Sequence, residues 1–258
     1  MTQRPTQPVP EGQKPPSDAE REFRARVGRP SPCDHCGART SSFCDVLEPQ
    51  EFQRLAAMSL SRRFEPHQTI VEEGQSADFM INVTSGTVKL FRTLSDGRVQ
   101  IVGFLKRGDF LGVPAGGIYS VGAEAVSPVE TCNFSRPPFE RMLNDNPTLE
   151  RRLFQMASNE VAAARDHLLL LGRKTARERV ATFLNHMVDK VRCAHIATPC
   201  VELPMTRIEI ADYLGMTMET VSRVLSAFKT EGLIATSSPT EITLLKPEKL
   251  KKIAEGEA

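Results

Sequence analysis

Residues 206–234 read TRIEIADYLGMTMETVSRVLSAFKTEGLI, and three spacings inside this stretch decide the fold of the C-terminal third. Thr206 and Glu209 have the Ser/Thr-x-x-Glu form of a capping box, which opens a helix. Ala211 is small where two helices must cross, Gly215 can take a positive φ in the turn, and Val221 locks a second helix. Together these features predict a helix-turn-helix. Thr217 caps the second helix. Val221, Val224, Leu225 and Phe228 face inward, leaving Glu219, Thr220, Ser222 and Arg223 outward at the N-terminal end, which is the end that enters a DNA major groove. Arg223 matches guanine O6 and N7, and Glu219 on the same face can accept from cytosine N4, so the pair can read one G·C pair on both strands. A surface i, i+4 ion pair is the alternative. Beyond, residues 233–236 and 241–245, joined by SSPT, predict a two-stranded wing.

Upstream, Thr175 and Glu178 form a second capping box, and the helix it opens carries Val180, Phe183, Leu184 and Met187 on one face. Gly172 interrupts the pattern before it and is expected to be a hinge. Residues 147–172, PTLERRLFQMASNEVAAARDHLLLLG, hold a heptad seam of Phe154, Ala157, Val161, Ala164, Leu168 and Leu171. Spacings of three and four put these on one helical stripe, with small Ala157 and Ala164 admitting a partner helix and the larger side chains acting as knobs. The seam predicts a parallel homodimer. Leu149, Leu153, Met156, Leu169 and Leu170 make a second apolar face, so packing on the helix's own domain is the other reading.

Before this helix the pattern is short strands between turns: Ile70 and Val71, then 79–83, 87–91, 99–105 and VETCNF at 129–134. Strands of this length with glycine turns at this interval predict a small antiparallel barrel or roll. A helical period at 47–58 precedes it. Before that, CDHCGARTSSFC places Cys33, Cys36 and Cys44 in one twelve-residue window. Cys-x2-Cys lets two sulfurs point inward at one metal, and Cys44 is near enough for the loop to wrap around it. The fourth ligand has to come from Cys132, His35, Cys193 or Cys200. The spacing is compatible with an iron–sulfur centre, with zinc, and with reduced thiols that bind nothing. The loop RCAHIATPC could in principle hold a metal through Cys193, His195 and Cys200, but nothing near it completes four ligands.

The 258 residues carry a net charge of +1 and are 40% hydrophobic, enough for two modest cores. A near-neutral chain lacks the gross cationic signature of a histone-like protein, so DNA contact must be local. Seven prolines in the first 32 residues predict a disordered tail over 1–30. There is no apolar leader and no apolar run long enough for a membrane span, so the expected location is the cytoplasm, where six cysteines are thiols or ligands rather than disulfides. No Ser-His-Asp arrangement, P-loop or dinucleotide fingerprint occurs, which points away from an enzyme.

The order of parts, with SGTVKLFRTLSDG, GRKTARERVATFL and ETVSR, resembles the CRP/FNR superfamily of bacterial transcription regulators over roughly residues 31 to 250. The resemblance implies an α+β chain: a disordered tail (1–30), a cysteine segment and jelly roll like those that bind cyclic nucleotides (31–146), a dimerisation helix (147–172) and a winged helix-turn-helix (173–258). Three N-terminal cysteines plus one on a late roll strand look like the oxygen-sensing FNR branch, which implies that Cys33, Cys36, Cys44 and Cys132 hold a 4Fe-4S cluster. Glu219, Ser222 and Arg223 match its ExxSR readout, implying a TTGAT-N4-ATCAA palindrome, with RNA polymerase as partner and genes of anaerobic or microaerobic metabolism as targets. Other expectations the sequence allows are a zinc- or cluster-stabilised regulator answering another redox signal or nitric oxide, and more distantly an iron–sulfur electron carrier. Seven residues separate Cys36 from Cys44, as in a longer-spaced subgroup. The roll's LGVPAGGIYSVGAEAVSPVE lacks the Gly-Glu and Arg-Ser/Thr pairs that hold ribose and phosphate, so no cyclic nucleotide is expected.

Overall fold

The computed structural model describes residues 33, 36–112, 116–188, 200–238 and 240–257. The predicted tail, His35, Cys193, His195 and residues 113–115 of the roll lie outside them. Two 3-10 turns (Arg39–Ser41 and Phe43–Val46) lead into helix α1 (Pro49–Ala57). The roll follows as β1 (Ser59–Phe64), β2 (Thr69–Val71), β3 (Phe79–Ser85), β4 (Val88–Thr93), β5 (Val99–Leu105), β6 (Phe110–Leu111), β7 (Gly122–Ala125) and β8 (Val129–Ser135). Its antiparallel strands form two four-stranded sheets, β1-β8-β3-β6 and β2-β7-β4-β5. Val71, Leu90, Ala123 and Ala125 of one sheet meet Ile81, Val83, Leu111 and Val129 of the other, and the interior is filled by side chains.

The central strands of the first sheet, β3 and β8, are buried on both faces. Alternation along β8 sends Val129 into the roll and turns Cys132 and Phe134 to the outer face, where they join Met80, Phe43, Leu55, Phe139 and Leu149 in a second cluster. That outer cluster is roofed by the cysteine segment, by α1, by α2 (Arg136–Asp145), and by the start of α3 (Pro147–Arg173).

The helix α3 starts with Asn146, whose side chain accepts from the Leu149 N–H at 3.0 Å, and runs unbroken through Gly172. The expected hinge at Gly172 is therefore displaced: the break comes at Lys174 (φ −84°, ψ 144°). Thr175 then caps α4 (Ala176–Met187) with its box to Glu178. Next come β9 (Cys200–Glu202), α5 (Arg207–Leu214), α6 (Met218–Thr230), β10 (Ile234–Ser238), β11 (Glu241–Leu244) and α7 (Pro247–Glu255). The wing has three strands, not two, in the order β10-β11-β9. Cys200 and Val201 pair β9 with Thr243 and Ile242 of β11, 43 and 41 residues later in the chain, so local pattern could not announce it.

The roll touches the reading domain directly. Lys89 Nζ on β4 donates to Glu124 at 2.7 Å and to Glu209 of α5 at 2.9 Å, with side-chain exposures of only 14%, 21% and 10%. Burial opposes ionisation of Glu209, but bonds from Thr206 and Lys89 outweigh it and hold its carboxyl below the usual range. A carboxyl with a depressed folded-state pKa stabilises above its unfolded value and loses that contribution as pH falls through the folded one. The contact between roll and reader is accordingly expected to loosen as the pH falls below the ordinary glutamate range. Tyrosine fluorescence reports it, because Tyr213 lies in the same contact at 5.3 Å from Phe104.

Candidate metal centre and nucleic-acid interface

Cys33, Cys44 and Cys132 come together in the outer cluster, at 6%, 8% and 7% exposure. Cys36 is half-buried beside them. The Cys33 thiol lies 3.7 Å from Ser59 Oγ and is hydrogen-bonded to Cys132. Cys44 is anchored by its neighbour Phe43, fully buried and packed edge-on against Phe110 (5.1 Å), Phe134 (5.7 Å) and Phe139 (5.6 Å). On the other side Gly108, at φ 95°, lets the backbone come so close to Ser41 that a Cβ there would lie 2.7 Å from the Ser41 carbonyl oxygen. The loop is thus held by packing on two sides just before Cys44.

Electrostatically the site disfavours bare thiolates. Burial, with Cys33 and Cys36 nearby, pushes the Cys44 thiol up to about 11 despite a bond from Ser42. The bond with Cys33, then burial, pushes Cys132 up as well. Such thiols ionise when a cation takes the place of their protons, so this donor set fits a metal centre that releases protons on loading. Among the described residues no three His, Cys, Asp or Glu side chains are placed to hold a metal ion as they stand. Of the other cysteines named from sequence, Cys200 lies in the wing and is disulfide-bonded, contrary to the expectation of a thiol or ligand.

The cysteine segment also rests on the seam helix. Asp45, next to Cys44, accepts from Arg152 of α3 at 3.2 Å, and Leu149 is wholly buried in the cysteine-bearing cluster. Further along α3, Phe154, Val161 and Leu168 are 72%, 50% and 69% exposed. Ala157 and Ala164 are exposed on the same stripe. Leu171 is half-buried against the reader's core.

In the reader, Gly215 takes φ 61° between the two helices, as the turn requires. Val221, Leu225 and Phe228 are buried. Thr217 caps α6 by accepting from the Thr220 N–H at 3.3 Å. Glu219 and Arg223 are exposed, with Thr220 and Ser222 half-buried beside them. Arg223 donates to Thr220 Oγ1 at 3.3 Å. The Glu219 carboxyl is held below its usual range by its own backbone N–H, then by the Thr217 hydroxyl, and so presents an anionic acceptor.

Two family models match the chain: the Crp-like helix-turn-helix domain over residues 178–253 and the cyclic nucleotide-binding domain over 61–146. The chain is 38% identical over 222 residues to the nitrogen fixation regulation protein FixK of Bradyrhizobium diazoefficiens, spanning 86% of this chain and 93% of that protein. It belongs to the CRP/FNR family of transcription regulators. A second member, the transcriptional activator protein FnrL of Cereibacter sphaeroides, is 37% identical over 207 residues, 79% of this chain and 84% of that one. The solved structure of FixK2 from Bradyrhizobium japonicum superposes with a TM-score of 0.70 at 37% identity, covering 76% of this chain and 96% of that chain. As a CRP/FNR member the chain is a DNA-binding transcription activator, with the α+β roll, long helix and helix-turn-helix of the family.

Two groups of residues escaped sequence reasoning. Lys89 and Glu209 lie 120 positions apart, and each is ordinary in its own strand or helix. Arg179 is the other: it donates to the Leu171 and Lys174 carbonyls at 2.8 and 2.9 Å and to that of Leu214 at 2.9 Å. For the reader itself, Arg223→Ala is expected to cost about 1–3 kcal/mol of specific affinity and relax selection at one guanine. Competition binding against a panel of single-base operator variants measures this. A loss uniform across sequences would make Arg223 a phosphate contact instead.

Proposed function

We propose that this activator senses oxygen through a labile 4Fe-4S cluster on Cys33, Cys36, Cys44 and Cys132. In this reading its loaded homodimer binds a TTGAT-N4-ATCAA palindrome and recruits RNA polymerase to genes of anaerobic or microaerobic metabolism. The observation that carries the reading is the meeting of Cys132, on β8, with thiols almost 90 and 100 residues earlier in one buried site. Residues 31–146 act as sensor, 147–172 as the dimer element and 173–258 as the reader.

When bound, the cluster supplies an oxygen-reactive centre; everything else falls to the chain. Four cysteines would bind a cationic guest as thiolates, releasing their protons to solvent, and the guest's charge would offset the burial that otherwise keeps Cys44 and Cys132 neutral. Phe43 and Gly108 hold the Cys44 loop against the roll. Asp45 and Leu149 tie that loop to α3, whose exposed Phe154, Val161 and Leu168 are what a second copy would cover. Glu219, Ser222 and Arg223, with Thr217 and Thr220 shaping the helix start, face the DNA. Iron and acid-labile sulfide analysis of anaerobically purified protein tests the centre. Zinc without sulfide would replace this reading with a structural metal. An operator selected from a randomised duplex pool tests the palindrome.

A further inference from the structure

The helix α5 is fixed at both of its ends by groups from outside the helix-turn-helix. At its C-terminal end the Arg179 guanidinium donates to the Leu214 carbonyl at 2.9 Å while also holding the Leu171 and Lys174 carbonyls that close α3. At its N-terminal end Glu209 is gripped at 2.9 Å by Lys89 from the roll. The five-residue step from Glu209 to Leu214 puts these two points about 7.5 Å apart along the helix axis. One anchor leaves a helix free to pivot; two separated anchors set its direction. The recognition helix α6 packs on α5 through Val221 and Leu225, so it inherits that direction.

We propose that Lys89 is a positioning residue that fixes the spacing of the two recognition helices in the dimer. It acts by pinning the far end of α5 to the sensor roll. The inference rests on the dimeric reading above. The joint between seam helix and reader is short, two extended residues, Lys174 and Thr175, so small rotations there are magnified at α6. Half-sites one helical turn apart tolerate little such error. Gln100 makes a second tie of the same kind, its Nε2 donating to the Asp212 carbonyl, and Lys106 Nζ donates to the Met187 carbonyl at 3.2 Å. All three roll residues sit on β4, β5 or the turn after it, a paired strand couple whose Phe104 also packs on the reader's core.

The test uses full-length anaerobic protein and the operator it selects from a randomised pool. That operator is prepared with its native spacer, with one base pair added and with one removed, alongside a duplex carrying a single half-site. Wild type is expected to prefer the native spacer by at least about tenfold. Lys89→Met should shrink that preference to about threefold or less while single-half-site affinity stays within about twofold, because the reading surface itself is untouched. Gln100→Ala, which leaves Glu209 and its cap alone, should shift it in the same direction, and Lys89→Arg should keep it. The proposal is overturned if Lys89→Met and Gln100→Ala both keep the sharp spacer preference. It is also overturned if half-site affinity falls in step with palindrome affinity, since Lys89 would then merely stabilise α5. A wild-type protein with no spacer preference at all would overturn the dimeric reading together with it.

Discussion

Cys132→Ser is expected to bring iron and sulfide in anaerobically purified protein from about four of each per protomer to near zero, and to abolish operator binding with them. Cys132 stands on the central strand β8, paired on one side with Ser61 of β1 and on the other with Asn82 of β3. The surrounding backbone therefore has little freedom to bring another donor to its place. A serine hydroxyl fits the same space, so the fold should survive and far-ultraviolet circular dichroism should be unchanged. Visible absorption of the iron–sulfur band reads the loss. Full retention of the band would remove Cys132 from the ligand set and leave His35 or another cysteine as the fourth donor.

Why Cys132 could be named at all bears on how far the sequence carried the site. The three N-terminal cysteines are local: their spacing alone makes convergence cheap, and it left iron, zinc and bare thiols open. Cys132 taken alone is a small buried residue on a strand, and only the resemblance to the FNR branch paired it with the others. The structure places it there because β8 alternates, sending Val129 inward and Cys132 outward beneath the cysteine loop. The helix-turn-helix was legible for a different reason. Its capping boxes, Gly215 turn and inward apolar period are short-range, and α5 and α6 form where those signals put them.

What escaped was either polar or distant. The strand β1, SLSRRF, has two exposed arginines and pairs only with β8, so it lacks the apolar alternation that marks a strand. Pro137 and Pro138 open α2 at its first turn, where proline is tolerated, yet in sequence they read as a break. The third wing strand and the Lys89 contact depend on segments 40 or more residues apart, which no window of periodicity can join.

Val161→Glu is expected to disperse the anaerobic dimer and to lower operator affinity by at least about a hundredfold. Val161 is 50% exposed in the protomer, so a carboxylate there costs the folded monomer little, and its melting temperature should barely move. In the dimer two valines lose burial worth about 1.5–3 kcal/mol each, and two carboxylates meet in a seam whose centre, Ala164, offers no counter-charge. Native sequence lacks any such repulsion at that centre; only the flanking Glu160 and Asp166 oppose association. In the proposed function the seam therefore adds no push of its own, and the switch depends on a change of a few kcal/mol delivered from the cysteine loop through Asp45 and Arg152. Cluster loss in air is expected to disperse the native dimer, less completely than Val161→Glu does, with two tethered readers becoming two separate ones. Analytical ultracentrifugation of anaerobic and air-exposed protein at micromolar concentration decides it. Should both sediment as the same dimer while only the anaerobic form binds operator, the switch is a rotation within the dimer. Since α3 continues through Gly172 to Arg173, the pivot of that rotation would be Lys174, whose carbonyl the Arg179 clasp holds.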